Sequence, residues 1–154
     1  MSDGALDQID DLYREVVLEH ARERSNRRQI ADATHTGEGW NHLCGDEIRL
    51  SLRIVDDVVT DVAVGGRGCA ISQASSSMMA DLIRGRSLAE VQRSGEAFRR
   101  MISGDGVADD ATLGDAIALR AVRKYPRRVG CATLAWTTLA QTLSSTPEDG
   151  EPAR

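Results

Sequence analysis

Three cysteines, Cys44, Cys69 and Cys131, and the aspartate two residues after the first, Asp46, are the side chains whose types could do chemistry together in this sequence. Cys69 follows Gly65-Gly66-Arg67-Gly68, where an apolar run breaks at glycines and re-enters as a helix over Ala70-Ile71-Ser72. A cysteine in the first turn of a helix faces unpaired backbone N–H groups and the positive end of the helix dipole, and both stabilise its thiolate. Cys69 is therefore a candidate metal ligand or sulfur nucleophile. Cys131 stands between a basic stretch, Arg123-Lys124-Tyr125-Pro126-Arg127-Arg128, and an apolar run from Ala132 to Ala140, so a second cysteine is expected at a helix N-terminus. In Cys44-Gly45-Asp46, residues i and i+2 of an extended chain project to one face, so the thiol and the carboxylate can reach one metal, with Gly45 leaving room between them. Three thiolates and a carboxylate suit tetrahedral zinc, and thiolates equally hold iron-sulfur clusters. The spacing contains no Cys-x-x-Cys pair and fits neither a zinc finger nor a ferredoxin. An odd number of widely spaced cysteines speaks against a disulfide framework, and three buried apolar cysteines stand as the alternative.

The elements that must position these residues follow from periodicity. Leu6, Ile9, Leu12, Tyr13, Val16, Val17 and His20 recur at spacings of three and four, which predicts a packed helix over Ala5 to Arg24, with His20 a core or boundary histidine. Ser25 to Gly39 has no period and reads as a connector with room for a short edge strand; His35 lies there without a function. Glu47 to Val55 alternates polar and apolar residues, Asp56-Asp57 turns, and Val58 to Val64 returns with Val58, Thr60, Val62 and Val64 on one face. This antiparallel hairpin brings its outer ends together, so Cys44 and Asp46 are expected beside Cys69. Helices are expected over Ala70–Arg84, over Leu88–Ile102 with Ser87 and Glu90 as a capping box, over Leu113–Ala121, and after Cys131. Ser103 to Asp110 reads as a loop, and residues 1–4 and 144–154 as disordered ends. The fold class is α+β, a small antiparallel sheet covered by helices with the metal site at one end, in a single domain over residues 1–143.

Composition narrows the function classes. The chain has 154 residues, 41% hydrophobic and 28% charged, with a net charge of -5. That size supports one domain with a real core, and the acidic balance argues against a general nucleic-acid binder. No apolar run approaches the roughly 20 residues that cross a bilayer, and Met1-Ser2-Asp3-Gly4 does not open like a signal peptide. A cytoplasmic protein without a membrane partner is expected.

From about Leu12 to Leu143 the chain resembles the U-type iron-sulfur cluster assembly proteins, the NifU N-terminal-like family that contains SufU and IscU. The resemblance is carried by Leu12-Tyr13-Arg14-Glu15-Val16-Val17-Leu18-Glu19-His20, Cys44-Gly45-Asp46, Gly68-Cys69-Ala70-Ile71-Ser72, Ser75-Ser76-Ser77-Met78-Met79 and Cys131-Ala132-Thr133-Leu134-Ala135-Trp136. It is nearer to SufU, because the segment between the second and third cysteines is longer and Gly130 stands where IscU places a ligand histidine. The resemblance implies a SufE/NifU-like fold, a zinc site of Cys44, Asp46, Cys69 and Cys131, a SufS-type cysteine desulfurase as partner and a downstream SUF scaffold. It implies further that Cys44 is the sulfur acceptor, freed when a partner's side chain replaces it on zinc. Two alternatives stand beside this: a scaffold that assembles an iron-sulfur cluster on the same cysteines, and a binding module with a purely structural zinc. Arg67 and the cluster Arg123, Lys124, Arg127 and Arg128 adjoin the proposed ligands. Arg128 is the first candidate for offsetting their negative charge or facing a partner, and Arg67 the second. His42 reads as a bystander, and Lys124, the only lysine, sits in no Schiff-base motif, so pyridoxal phosphate belongs to the partner.

Overall fold

The computed structural model describes residues 11–104 and 110–144. Helix α1 (Asp11–Arg22) leads through an irregular segment into a three-stranded antiparallel sheet in the order β1 (His35–Asn41), β2 (Asp46–Val55), β3 (Val58–Arg67). Helices α2 (Ala70–Ile83), α3 (Leu88–Ser103), the short α4 (Asp110–Leu113), a 3-10 stretch (Gly114–Lys124) and α5 (Pro126–Ser144) complete the chain. The α+β class is as expected. Residues 1–10, the centre of the expected loop from Ser103 to Asp110, and the tail after Ser144 lie outside the described residues; Ser144 itself ends α5.

The β2–β3 hairpin turns on Asp56 and Asp57, whose φ angles of 53° and 62° are both left-handed, the conformation that matches the twist of the flanking strands. Its register corrects one expectation. Arg53 pairs with Asp61 but Ile54 pairs with Val59, so Thr60 is the extra residue of a β-bulge. The bulge moves Val58 and Thr60 off the inner face, and Val59, Val62 and Val64 are the buried valines. Strand β1 fills the expected connector. Its sequence, HTGEGWN, has poor strand propensity, and its glycines serve a close approach instead: a Cβ on Gly37 or Gly39 would collide with Thr142 or Thr138 of α5.

The core lies between the inner face of the sheet and the helices. Ile48, Leu50 and Leu52 of β2 meet Ile71, Met78, Met79 and Ile83 of α2 and Trp136 and Leu139 of α5 in one cluster. Phe98 of α3 stacks on Trp136 with ring centroids 4.5 Å apart. The Trp136 indole N–H donates to Ser75 Oγ at 3.1 Å, and the Ser75 hydroxyl donates to the Ala132 carbonyl at 2.6 Å, so a buried serine of α2 ties α5 in place. His20 is the boundary histidine expected, with its ring nitrogens 3.0 Å from Ser77 Oγ and 2.9 Å from Asp115. The Ser87–Glu90 capping box forms with both its bonds and starts α3. The helix expected over Leu113–Ala121 is instead 3-10, because Gly114 is left-handed (φ 54°) and Ala116, Leu119 and Val122 bury one side at a spacing of three. Among the described residues, no helix is long and apolar enough to cross a membrane.

Candidate metal centre

The ends of three elements converge at one edge of the sheet. Asn41, the last residue of β1, pairs with Asp46, the first of β2, and between them His42-Leu43-Cys44-Gly45 makes the turn, closed by the Gly45 N–H donating to the Asn41 carbonyl at 2.9 Å. Cys44 therefore lies in a hairpin turn rather than opening an extended strand. Gly45 is left-handed (φ 75°), with nothing near the position of a Cβ, so glycine is needed for its φ and not for room. Asp46 comes next to Cys44 through the turn, not through the two-residue period of a strand.

On the other side of β2, Glu47 pairs with Arg67, which brings the start of α2 alongside Asp46. Cys69 is the residue that precedes the first turn of α2, and its backbone N–H donates to one Asp46 carboxylate oxygen at 3.0 Å. Gly68 permits this approach: a Cβ there would lie 2.5 Å from the same oxygen. Cys131 arrives from α5. That helix begins at Pro126, a favoured first helical residue, so Cys131 sits in its second turn and not at its N-terminus as the sequence pattern suggested. Pro126, Arg127 and Arg128 of the basic stretch thus form the first turn of α5, and the dipole argument holds for Cys69 alone.

The ligand atoms of Cys44, Asp46 and Cys131 all lie within 4.8 Å of one another. Zinc bound to sulfur at about 2.3 Å in a tetrahedron needs sulfurs about 3.8 Å apart, so the set matches that chemistry. Cys69 completes it. Its thiol is lowered to about 6, first by the hydrogen bond from Cys131 and then by backbone N–H groups of Ser72 and Ile71, against opposition from burial and from the Asp46 charge. Cys131 moves the other way, raised by its bond to Cys69 and by burial, so in this pair Cys69 is the thiolate and Cys131 the proton donor. Asp46 and Cys131 are 1% and 0% exposed, whereas Cys44 and Cys69 are half-buried. Cys44 Sγ faces the Arg127 carbonyl at 3.7 Å.

Of the two arginines singled out, Arg128 reaches the thiols. Burial works against its charge, but the bond to Cys131 and the fields of Cys69, Cys131 and Cys44 outweigh that and raise its pKa. Arg67 is 84% exposed and pairs with Glu47. His42 is exposed in the turn. One neighbour was missed by the sequence reading: the Asn41 amide donates to the second Asp46 oxygen at 3.2 Å and to Cys131 Sγ at 3.7 Å. Its only signal in the sequence is its place just before the turn that carries Cys44, and the short edge strand allowed for between Ser25 and Gly39 extends two residues further, to Asn41.

Comparison with known proteins gives this geometry a family. The profile described as NifU-like N terminal domain matches residues 12–132, which is most of the chain. The chain belongs to that family. Among its NifU-like relatives is the zinc-dependent sulfurtransferase SufU of Bacillus subtilis, 37% identical over 131 residues that cover 85% of this chain and 88% of that protein. The iron-sulfur cluster assembly scaffold protein IscU of Thermotoga maritima is 39% identical over 132 residues, 86% of this chain and 92% of that one. The crystal structure called FiSufU, a SUF-system protein from the thermophilic Fervidobacterium islandicum AW-1, superposes with a TM-score of 0.80 at 34% identity, covering 84% of this chain and 94% of that one. The SufE/NifU-like form of the α+β fold expected from the sequence is therefore the observed one.

Proposed function

We propose that the protein is a zinc-dependent sulfur acceptor of iron-sulfur cluster assembly, taking persulfide sulfur from a SufS-type cysteine desulfurase in the cytoplasm and passing it to a downstream SUF scaffold. The observation that carries this reading is the convergence of Cys44, Asp46 and Cys131 within 4.8 Å beside the Cys69 thiolate, in a chain 37% identical to a zinc-dependent sulfurtransferase. Cys44, Asp46, Cys69 and Cys131 would hold the metal. When bound, zinc keeps thiolates deprotonated at neutral pH and tempers their attack on other sulfurs.

Access and local structure support these roles, since Cys44 and Cys69 are both half-buried and differ in setting. Cys131 and Asp46 are closed to a partner, and Cys69 is bound into the start of α2. Cys44, in an exposed turn with a left-handed glycine behind it, is the thiol that a second protein can meet. As a thiolate it attacks the terminal sulfur of the partner's cysteine persulfide. The bond between the two partner sulfurs breaks, its electron pair leaves on the partner's cysteine, and Cys44 becomes the persulfide with no net oxidation. Arg128 offsets the negative charge of the thiolate cluster on the side that also meets the partner. Arg67, solvated except for Glu47, contributes at most to docking.

The relatives named as scaffolds support a second reading, assembly of a cluster on the same cysteines. Metal analysis separates the two: one zinc per colourless chain supports sulfur acceptance, and iron with sulfide in a brown protein supports the scaffold. The decisive experiment mixes the zinc-loaded protein with desulfurase and cysteine. Wild type is expected to accelerate turnover and to gain a sulfane sulfur on Cys44 by mass spectrometry; C44A, with an unchanged circular dichroism spectrum, should do neither. Equal turnover with and without the Cys44 thiol overturns the assignment.

A further inference from the structure

Asn41 touches two of the proposed ligands, and no motif drew attention to it. Its amide nitrogen lies 3.2 Å from Asp46 Oδ2 and 3.7 Å from Cys131 Sγ, while the other Asp46 oxygen is held by the Cys69 N–H at 3.0 Å. An amide NH2 has two donors, and here both have an acceptor that is anionic when metal is bound. Across from it stands Gly130. A Cβ on Gly130 would lie 3.2 Å from the same amide nitrogen, tighter than ordinary contact, so the amide occupies space that any side chain at 130 would contest. The pairing Asn41↔Asp46 at the mouth of the β1–β2 turn fixes the amide's origin, because both backbones are locked in the sheet.

We infer that Asn41 is a positioning residue that holds Asp46 and Cys131 as fixed ligands of the metal centre, leaving Cys44 as the ligand that moves. The inference rests on the zinc reading above and concerns this chain's own side chains. Both oxygens of Asp46 are tied, one to α2 and one to β1, and Cys131 receives the Asn41 amide together with Arg128. Cys44 Sγ faces a carbonyl instead. A donor to a metal-bound thiolate or carboxylate fixes the ligand's orientation and lowers the energy of its lone pairs, so three ligands are anchored by N–H groups and one is not. Partners of this kind typically change metal affinity about 10–100-fold. Gly130 belongs to the same device, because it leaves the amide its place.

The test compares wild type with Asn41→Leu, which keeps the volume without the donor, and Asn41→Ala, which removes both. Zinc affinity is measured by competition with a chromophoric chelator, and the cobalt-substituted proteins are examined in the visible and near-ultraviolet. Both variants are expected to bind zinc at least tenfold more weakly, with the sulfur-to-cobalt charge-transfer band of N41L moved to lower energy, because a thiolate that loses a donor gives up electrons more readily. Gly130→Ala is expected to lower zinc affinity in the same direction while raising the melting temperature of the metal-free protein, since alanine favours a helix interior over glycine. A merely structural role would instead lower the melting temperature of metal-free N41L and leave the band where it is. If the variants bind zinc like wild type with an unshifted band, the positioning role is overturned and the zinc reading survives; if wild type itself binds no zinc, both fall.

Discussion

Cys69 shows how far a single residue's chemistry follows from its place in the chain. A glycine turn entering a helix puts its thiol among free N–H groups, and the structure adds Cys131 as a hydrogen-bond donor, which becomes the larger cause of the lowered pKa. The two thiols share a proton unequally, with Cys131 fully buried and pushed up and Cys69 pulled down to about 6. In metal-free protein, alkylation of Cys69 by iodoacetamide should therefore rise with pH to a midpoint of about 6. It should be level between about pH 7 and 8, where an ordinary cysteine is still gaining thiolate towards its value of about 8.5. The direction follows because a lowered pKa leaves the reactive form populated above it and empties it below. Peptide mapping of the alkylated protein gives both rates, and Cys131 should stay unmodified until the chain unfolds. At this scale the pattern of cysteines and Asp46 was legible in the sequence, and so was the arginine three residues before Cys131. Asn41 was not, because its importance comes from a strand pairing with Asp46 that no local pattern announces.

Among the elements, α2 and α5 matter most to the site because each carries a cysteine inward. What joins them is polar. Ser75 of α2 donates to the Ala132 carbonyl and accepts from the Trp136 indole, one residue and five residues beyond Cys131 in α5. Ser75→Ala would leave a buried indole N–H without a partner, and such a group costs about 1–3 kcal/mol. Chemical denaturation of S75A should show a loss in that range. The loss should be larger than that of Thr137→Ala on the exposed side of α5. The serine run from Ser75 to Ser77 reads in the sequence as part of a family signature; that Ser75 spans two helices is decided by their packing. The β-bulge at Thr60 has the same character, since perfect alternation in β3 reads as one face until the partner strand's register shows an extra residue. The 3-10 stretch is a third case: its helical tendency is visible, but the choice of three residues per turn follows the spacing of Ala116, Leu119 and Val122 against the core.

For the whole molecule, the metal centre sits at the margin of the core and shares Cys131 with it, while most of the core's buried apolar surface comes from residues that bind no metal. The apolar cluster of sheet, α2, α3 and α5 takes in Cys131, with Cys44 and Cys69 packed against it, but most of its residues are Val, Ile, Leu, Met, Phe and Trp side chains that are not ligands. Metal-free protein is therefore expected to keep its fold. Zinc at about 1,000 times its dissociation constant would add about 4 kcal/mol, which for a chain of this size raises the melting temperature by about 8–16 °C. Calorimetry before and after chelation measures the difference. Complete unfolding on chelation, as in small zinc modules, would favour a structural metal and a binding module over sulfur transfer.

The sequence by itself determined the class of fold, the cap of α3, the boundary role of His20 and the residue types of the site, of which Cys44, Asp46 and Cys131 come within 4.8 Å of one another, because each is written in short-range spacing or in a family signature that local chemistry maintains. Only the tertiary structure decided how they meet. Cys44 lies in a left-handed turn rather than on a strand, Cys131 is one turn inside α5, and an edge strand of poor propensity is held in place by a helix that its glycines admit. These depend on residues up to ninety positions apart, such as Asn41 and Cys131, whose contact is fixed by strand register and helix packing. The order of accessibility follows from the same packing: it closes Asp46 and Cys131 to other proteins and leaves Cys44 at the surface turn.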